Sequence, residues 1–348
     1  MVFVNNYAFY AYAHSEIDPF HSLRGGNMKR LAVLALAILV LLVPVFAGGD
    51  TDSATSGSLQ FGTGGDQGTY YGFGSVLAQK ISTETDTDVT AVVSNGSQDN
   101  IEMMDMGEYQ LGFVQTDVMS YAYEGQKLFE GMPVDDFSVI AALYLEQVQV
   151  VTLDPSIKTI ADLEGKTVSI GSAGSGVYYN ALDVLASYGL SESDIHPTYQ
   201  SFGDSVDSLQ DGKIDAAFIV SGAPTVAVST LASTNKVYLV GFDQEHIDAL
   251  IDASPYYAPY TIAKDVYGTD EDCQTVAVGA VIIANDSVSE DAAYDIVSAI
   301  FENKDVLAQS HDKGNELDLE YATSITNIPY HPGAAKYFQE KGFTVPVK

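Results

Sequence analysis

Leu59-Gln60-Phe61-Gly62-Thr63-Gly64-Gly65-Asp66-Gln67-Gly68-Thr69-Tyr70-Tyr71 is the stretch on which the reading of this chain turns. A short apolar run meets a glycine-dense turn. Phe73, Val76, Leu77 and Ile81 then recur at helical spacing, so the segment predicts strand, loop and helix N-terminus. Glycines let a ligand approach the backbone, and first-turn N–H groups with the helix dipole favour an anion or carbonyl oxygen. Tyr70 and Tyr71 are read as two aromatic walls.

The same plan returns downstream. Lys166–Ile170 reads as a strand, Gly171-Ser172-Ala173-Gly174-Ser175-Gly176 as a glycine loop, and Val177–Tyr188 as a helix closed by Gly189. A second pair also matches: Gly107-Glu108-Tyr109-Gln110-Leu111-Gly112-Phe113-Val114-Gln115-Thr116 and Gly212-Lys213-Ile214-Asp215-Ala216-Ala217-Phe218-Ile219-Val220-Ser221. The loops lie 109 residues apart and the glycine-led strands 105 apart. Near-equal offsets predict two α/β lobes of one plan, each presenting a loop and a strand end.

Around these landmarks Val89–Val93 alternates as a strand and stops at the Asn95-Gly96 turn. Gln98–Met106 follows as a helix, and the strand Leu111–Val114 delivers Gln115, Thr116 and Asp117 to its C-terminal edge, with Thr116 or Asp117 expected as N-cap. Val139–Leu153 is a long apolar strand interrupted only by Glu146, Gln147 and Gln149, suited to carry the chain between lobes. Pro224 is expected at helix N1 before Thr225–Ser233. Val237–Phe242 reads as a strand, Gln244–Ala253 as a helix, Tyr256–Tyr260 as packing or lobe-contact surface, and Thr275–Ala284 as the return crossing. Asp291–Phe301 and Pro332–Lys341 read as helices packed back on the first lobe. The expected boundaries are 58–143 with 280–348 for lobe one, and 144–279 for lobe two.

The first 57 residues are set apart from the fold. Met28-Lys29-Arg30, the apolar Leu31–Val43 and the small residues up to Ala47 have the layout of a Sec-type signal peptide over 28–47, an uncleaved membrane anchor being the alternative. Residues 1–27 read as an upstream mis-assigned start or extension, and 48–57 as a flexible tether. An extracytoplasmic, periplasmic or cell-surface, protein is expected.

The whole chain carries a formal net charge of −32, and residues 48–348 hold 12 basic against 45 acidic side chains. Nucleic acid is thereby excluded as a partner, since phosphate binding needs a basic footprint. Spread evenly, the charge suggests a solvated acidic surface adapted to high salt. Residues 48–348 contain no arginine, so a carboxylate ligand must be held by backbone N–H groups, hydroxyls, amides or a lysine. Cys273 is the sole cysteine and reads as a packed or incidental thiol; His196, His246, His311 and His331 lack close metal-ligand spacing.

No G-x-S-x-G elbow, Walker lysine or complete dinucleotide fingerprint occurs, so neither catalysis nor a cofactor is expected. The constellation fits a binding cleft for a small polar ligand, with Thr63, Gly65, Tyr70, Asn95, Gln115 and Thr116 on one lobe facing Ser172, Gly174, Ser175, Gly176 and Ser221 on the other. The alternative reading of these hydroxyls is that they cap their own helices.

Phe61–Gly65, Gly68–Tyr71, Ser94-Asn95-Gly96-Ser97-Gln98-Asp99-Asn100, Gly107-Glu108 leading to Phe113–Asp117, Asp162–Lys166 before Gly171–Gly176, and Phe218–Pro224 together resemble the TAXI family of solute receptors from tripartite ATP-independent periplasmic (TRAP) transporters. The likeness runs in order through nearly all of 58–343. It implies a two-lobed, type II periplasmic-binding-protein fold with the cleft between lobes joined by crossover strands. It further implies a monomeric receptor that closes over glutamate, glutamine or a related small acid and delivers it to a permease driven by an ion gradient. Gly72 stands where the family usually has Pro, loosening that helix start, and Val177 where it usually has Thr, removing a hydroxyl. A sensory binding module without transport is the alternative function.

Overall fold

The computed structural model describes residues 58–348; the expected signal peptide, tether and N-terminal extension lie outside them. In chain order the elements of the first half are β1 (Leu59–Gly62), α1 (Thr69–Glu84), β2 (Val89–Val92), α2 (Ser97–Asp105), β3 (Leu111–Gln115), α3 (Thr116–Glu124) and β4 (Phe137–Thr152). Next come β5 (Thr167–Ser169), α4 (Val177–Ser187), β6 (His196–Thr198), α5 (Phe202–Gln210), β7 (Ala216–Ser221), α6 (Val226–Thr234), β8 (Tyr238–Leu239) and α7 (Gln244–Ala253). The chain closes with β9 (Ala258–Ile262), β10 (Cys273–Asn285), α8 (Glu290–Glu302), α9 (Lys304–Ser310), α10 (Leu319–Ala322) and α11 (Pro332–Glu340).

The strand order is β2-β1-β3-β10-β4-β7-β5-β6. On one side β1 pairs in parallel with β2 and β3, and β3 runs antiparallel to β10. On the other β5 pairs in parallel with β6 and β7, and β7 runs antiparallel to β4. The internal repeat is therefore an architectural one: β1, β2 and β3 correspond to β5, β6 and β7.

Two long strands serve both halves. Residues Phe137–Gln147 of β4 lie against Asn285–Ala277 of β10, whereas Gln147–Thr152 turn to β7. Likewise Ala280–Ala284 of β10 pair with β3, and Cys273–Ala277 pair with β9. Register shifts beside Ala280 and Ile282 interrupt the pairing of β4 with β10. All of β4 but Leu145 is buried, because helices cover both faces; this is why it reads as a continuous apolar run without alternation. One core gathers Phe61, Phe73, Phe113, Ile282 and Phe338, and another Val168, Val184, Phe218 and Val276. This is the two-lobed periplasmic-binding-protein type II arrangement.

Some local expectations fail. Helix α3 begins at Thr116 with Gln115 as its N-cap, and Asp117 makes no cap because its carboxylate reaches Asn180 of α4 instead. Pro224 precedes the Thr225 N-cap, and α6 starts at Val226. Only Tyr238 and Leu239 of the expected Val237–Phe242 strand pair with β4; Val240 and Phe242 continue as buried side chains. Ala258–Tyr260, read as packing surface, belong to β9, paired with Thr275–Ala277 of β10.

Candidate functional site

A cavity of about 310 Å³ lies where the segments after β1, β2, β5 and β6 meet the C-terminal ends of β3 and β7. Its floor follows from strand geometry, since in open α/β sheets the space beyond the strands' C-terminal ends is left to ligands. Asn100 helps set this end: its Nδ2 donates to the carbonyls of Thr63 (2.8 Å) and Phe113 (2.7 Å), tying β1 to β3. Gly62 must be glycine here, because a Cβ would stand 2.5 Å from Asn100 Oδ1.

Three helices point their N-termini at the cavity. The N-caps of α1, α2 and α4 are Gly68, Gly96 and Gly176; none has a side-chain cap, and all three line the wall. Helices α5, α7 and α8, by contrast, are capped by Ser201, Asp243 and Ser289. Glycine N-caps leave positive dipole ends for a ligand's anionic group, although Thr69 N–H of α1 already meets Ser221 Oγ, and α2 carries Asp99 in its first turn with its N–H bonded to the Gly174 carbonyl. At Gly176 the absence of a side chain is also steric, since a Cβ would overlap Gln115 Oε1.

Of the residues expected at the site, Gly65, Tyr70, Asn95, Gln115, Ser172, Ser175, Gly176 and Ser221 are brought together on this wall. Tyr70 is buried, its ring stacked on Phe113 at 4.7 Å between centroids. Burial pushes its hydroxyl well above the usual tyrosine range, and the Glu146 charge beside it adds to this. Asn95 is held by Asp99, whose Oδ2 accepts from its backbone N–H at 2.9 Å. Ser221 lines the cavity, but its hydroxyl is engaged: Oγ accepts from Thr69 N–H (3.2 Å) and donates to Thr69 Oγ1 (3.0 Å).

Three expected residues are not on the wall. Thr63 is buried behind it, its Oγ1 donating to the Val92 carbonyl at 2.6 Å, because β1 ends one residue earlier than the loop opens. Thr116 turns toward β10, where its Oγ1 accepts from Gly279 N–H at 3.1 Å. Gly174 bridges the lobes through its carbonyl, which accepts from Asp99 N–H at 3.0 Å. Tyr71 is likewise absent from the lining, so the pair of aromatic walls reduces to Tyr70; Phe202 at the start of α5 supplies a second ring.

Glu146 is the wall residue that sequence reasoning passed over as a mere interruption of β4. Its neighbours Gln147 and Gln149 face the other way and secure the β7 end: Gln147 Oε1 accepts from Ala223 N–H (2.7 Å), and Gln149 Nε2 donates to the Ser221 carbonyl (3.0 Å). Strand alternation therefore turns Glu146 toward the cavity. It is 2% exposed, and burial pushes its carboxyl up to about 8 despite the opposing pull of Tyr70 and Lys313. A lone acid within an otherwise apolar and amide-bearing strand was the available signal. Thr69, whose Oγ1 donates to the Gly222 carbonyl at 2.7 Å, was also missed.

Four buried atoms on this wall, Tyr70 Oη, Gln115 Oε1, Glu146 Oε2 and Ser175 Oγ, make no hydrogen bond of ordinary geometry, although the Tyr70 hydroxyl lies near enough to Glu146 to favour its ionised form. Each such atom costs on the order of 1–3 kcal/mol while unmet. Around them the lobes are in contact. Besides the Thr69 and Asp99 bonds, Ala227 N–H donates to the Gln67 carbonyl (3.2 Å) and Asn180 Nδ2 to Asp117 Oδ2 (2.9 Å). The arrangement can enclose a small polar molecule and offers it hydroxyls, an amide, a carboxyl group and three helix termini.

A model of the NMT1-like family matches residues 61–342. The chain belongs to the NMT1-like family. Among solved structures, this NMT1-like chain shares its fold with a protein of Bordetella bronchiseptica RB50, at 15% identity over 81% of this chain and 88% of that one, TM-score 0.51. It is also similar to the periplasmic aliphatic sulphonate binding protein SsuA from Escherichia coli (17% identity, 82% and 90% covered, TM-score 0.43). The ligand-binding core of GluR0 from Nostoc punctiforme, in complex with L-glutamate, matches at 17% identity, 74% and 99% covered, TM-score 0.45. Among the described residues no helix is long and apolar enough to cross a membrane.

Proposed function

We propose that this protein is the extracytoplasmic solute receptor of a TAXI-type TRAP transporter, which captures a small polar acid or amino acid by lobe closure and hands it to a membrane permease. One observation carries the reading: four unpartnered buried polar atoms line a single cavity between the lobes. A bound molecule would satisfy them, and its greater affinity for the closed arrangement would shift the population toward it. The motifs from Phe61 to Pro224 that resemble the TAXI family support the transporter type and ligands of the glutamate and glutamine class. We place the lobe boundaries at 58–143 with 280–348 and at 144–279, in keeping with the two cores on either side of the crossover strands. The protein acts as a monomer, without cofactor or turnover.

Calorimetric titration with L-glutamine, L-glutamate and 2-oxoglutarate, paired with small-angle scattering, tests this reading. Binding at a one-to-one ratio with a smaller radius of gyration is the expected result. Failure of every small acid and amino acid to bind would sink it.

A further inference from the structure

The charge on the cavity wall constrains the ligand more narrowly than the receptor reading does. Among the described lining residues Asp66 and Glu146 are the only acidic or basic side chains. Asp66 is exposed, whereas Glu146 is 98% buried by its 2% exposure, with Oε2 unpartnered. The buried Lys313 acts on Glu146 by its charge but makes no ion pair with it: its Nζ meets Glu316 Oε1 at 2.5 Å and lies 5.4 Å from the centroid of the Tyr144 ring. Burial holds the Glu146 carboxyl protonated up to about pH 8, and a cation within contact distance offsets the cost of ionising it. Elsewhere on the same wall the polarity is opposite, since the uncapped N-termini of α1, α2 and α4 favour negative charge.

We infer that Glu146 holds a protonated nitrogen of the ligand while the three glycine-capped helix ends hold its carboxylate, so the ligand is an amino acid with no net negative charge and not a dicarboxylate. This deepens the receptor reading and rests on it. Gln115 Oε1, an unpartnered acceptor on the same wall, takes a further N–H of such a ligand. A second carboxylate would find neither lysine nor arginine among the described lining residues, and would keep Glu146 protonated instead of pairing with it.

The test is a thermal-shift screen of the purified exported chain against the standard amino acids, succinate, glutarate and 2-oxoglutarate. Calorimetry then compares the best amino acid with its deaminated counterpart, for L-glutamine the amide acid glutaramate. The expected result is that an uncharged or cationic amino acid binds best and that loss of its amine weakens binding at least about 30-fold, as for a desolvated charge pair deprived of one partner. Glu146→Gln should impose a loss of similar size on the amino acid and leave the deaminated compound unaffected, while Glu146→Asp retains the preference for the amine. A nitrogen-free dicarboxylate bound as tightly as any amino acid overturns the inference and leaves the receptor reading standing; so does unchanged affinity of folded Glu146→Gln for the amino acid. If no compound binds, the receptor reading falls and this inference with it. The wild-type comparison needs no variant, so a misfolded mutant does not blunt the test.

Discussion

At the scale of single residues, the site is built from glycines that make room and from polar atoms that wait for partners. Gly65 has nothing within 4 Å of the position its Cβ would take, so a larger side chain there enters the cavity without displacing the fold. Gly65→Leu should therefore weaken ligand binding about tenfold or more while shifting stability by no more than about 0.5 kcal/mol, as measured by calorimetry and thermal melting. Unchanged affinity would mean that this loop stands clear of the ligand. Tyr70→Phe is the complementary case. It keeps the ring stacked on Phe113 and removes an unpartnered hydroxyl, so the empty protein should be as stable or slightly more stable. Ligand affinity should drop about fivefold to tenfold for the lost hydrogen bond, checked by the same titration.

At the scale of elements, α3 and α4 clasp the lobes together away from the cavity. Asp117 on α3 is fully buried, with Oδ2 accepting from Asn180 on α4. Asn180 Nδ2 also donates to Tyr257 Oη at 2.9 Å, and Tyr257 donates in turn to Asp183 at 3.2 Å. Tyr121 and Tyr256 complete the surroundings, and Lys127 pairs with Asp183 at 3.3 Å. Burial is the main cause that pushes the Asp117 carboxyl up to about 7, with the Asp183 charge adding to it. A carboxyl whose folded value is raised binds protons that the unfolded chain has released, so its contribution is fully present below about pH 4 and is lost as pH rises through about 7. Glu146 acts in the same direction up to about pH 8. Thermal melting across pH 4–8 should thus show a decline that Asp117→Asn makes shallower, Asn keeping an acceptor for Asn180. An unaltered slope in that variant would remove Asp117 from the account.

At the scale of the whole molecule, the acidic surface and the paired lobes set the behaviour. With a net charge of −32, self-repulsion favours expansion of the chain and is relieved by salt within a Debye length of about 10 Å at 0.1 M. The melting temperature should rise steadily from low to molar NaCl, and a flat response would remove the high-salt adaptation. Among the described residues β4 and β10 are the long strands that run through both halves of the sheet, and their pairing shifts register near Ala280 and Ile282.

Much of this was legible in the chain. Glycine loops before helical spacing, repeated at similar offsets, require two strand-loop-helix units, and long apolar strands require burial on both faces; local geometry and hydrophobic periodicity settle such features before any tertiary contact forms. The lack of arginine in residues 48–348 likewise left a carboxylate ligand to backbone N–H groups, hydroxyls, amides or a lysine. What only the tertiary structure decided is where polar side chains in buried elements point. Glu146 lies in a strand covered on both faces, so no alternation told which face was the cavity. Asp117 reads as a cap in the sequence, whereas in the fold its Oδ2 accepts from Asn180 Nδ2, a residue distant in the chain. Thr63, Thr116 and Gly174 fell off the wall for the same reason: their partners Val92, Gly279 and Asp99 are supplied by other segments. The opening loop by itself set a glycine turn before a helix N-terminus, and packing between segments far apart in the chain determined which atoms stand on the cavity wall.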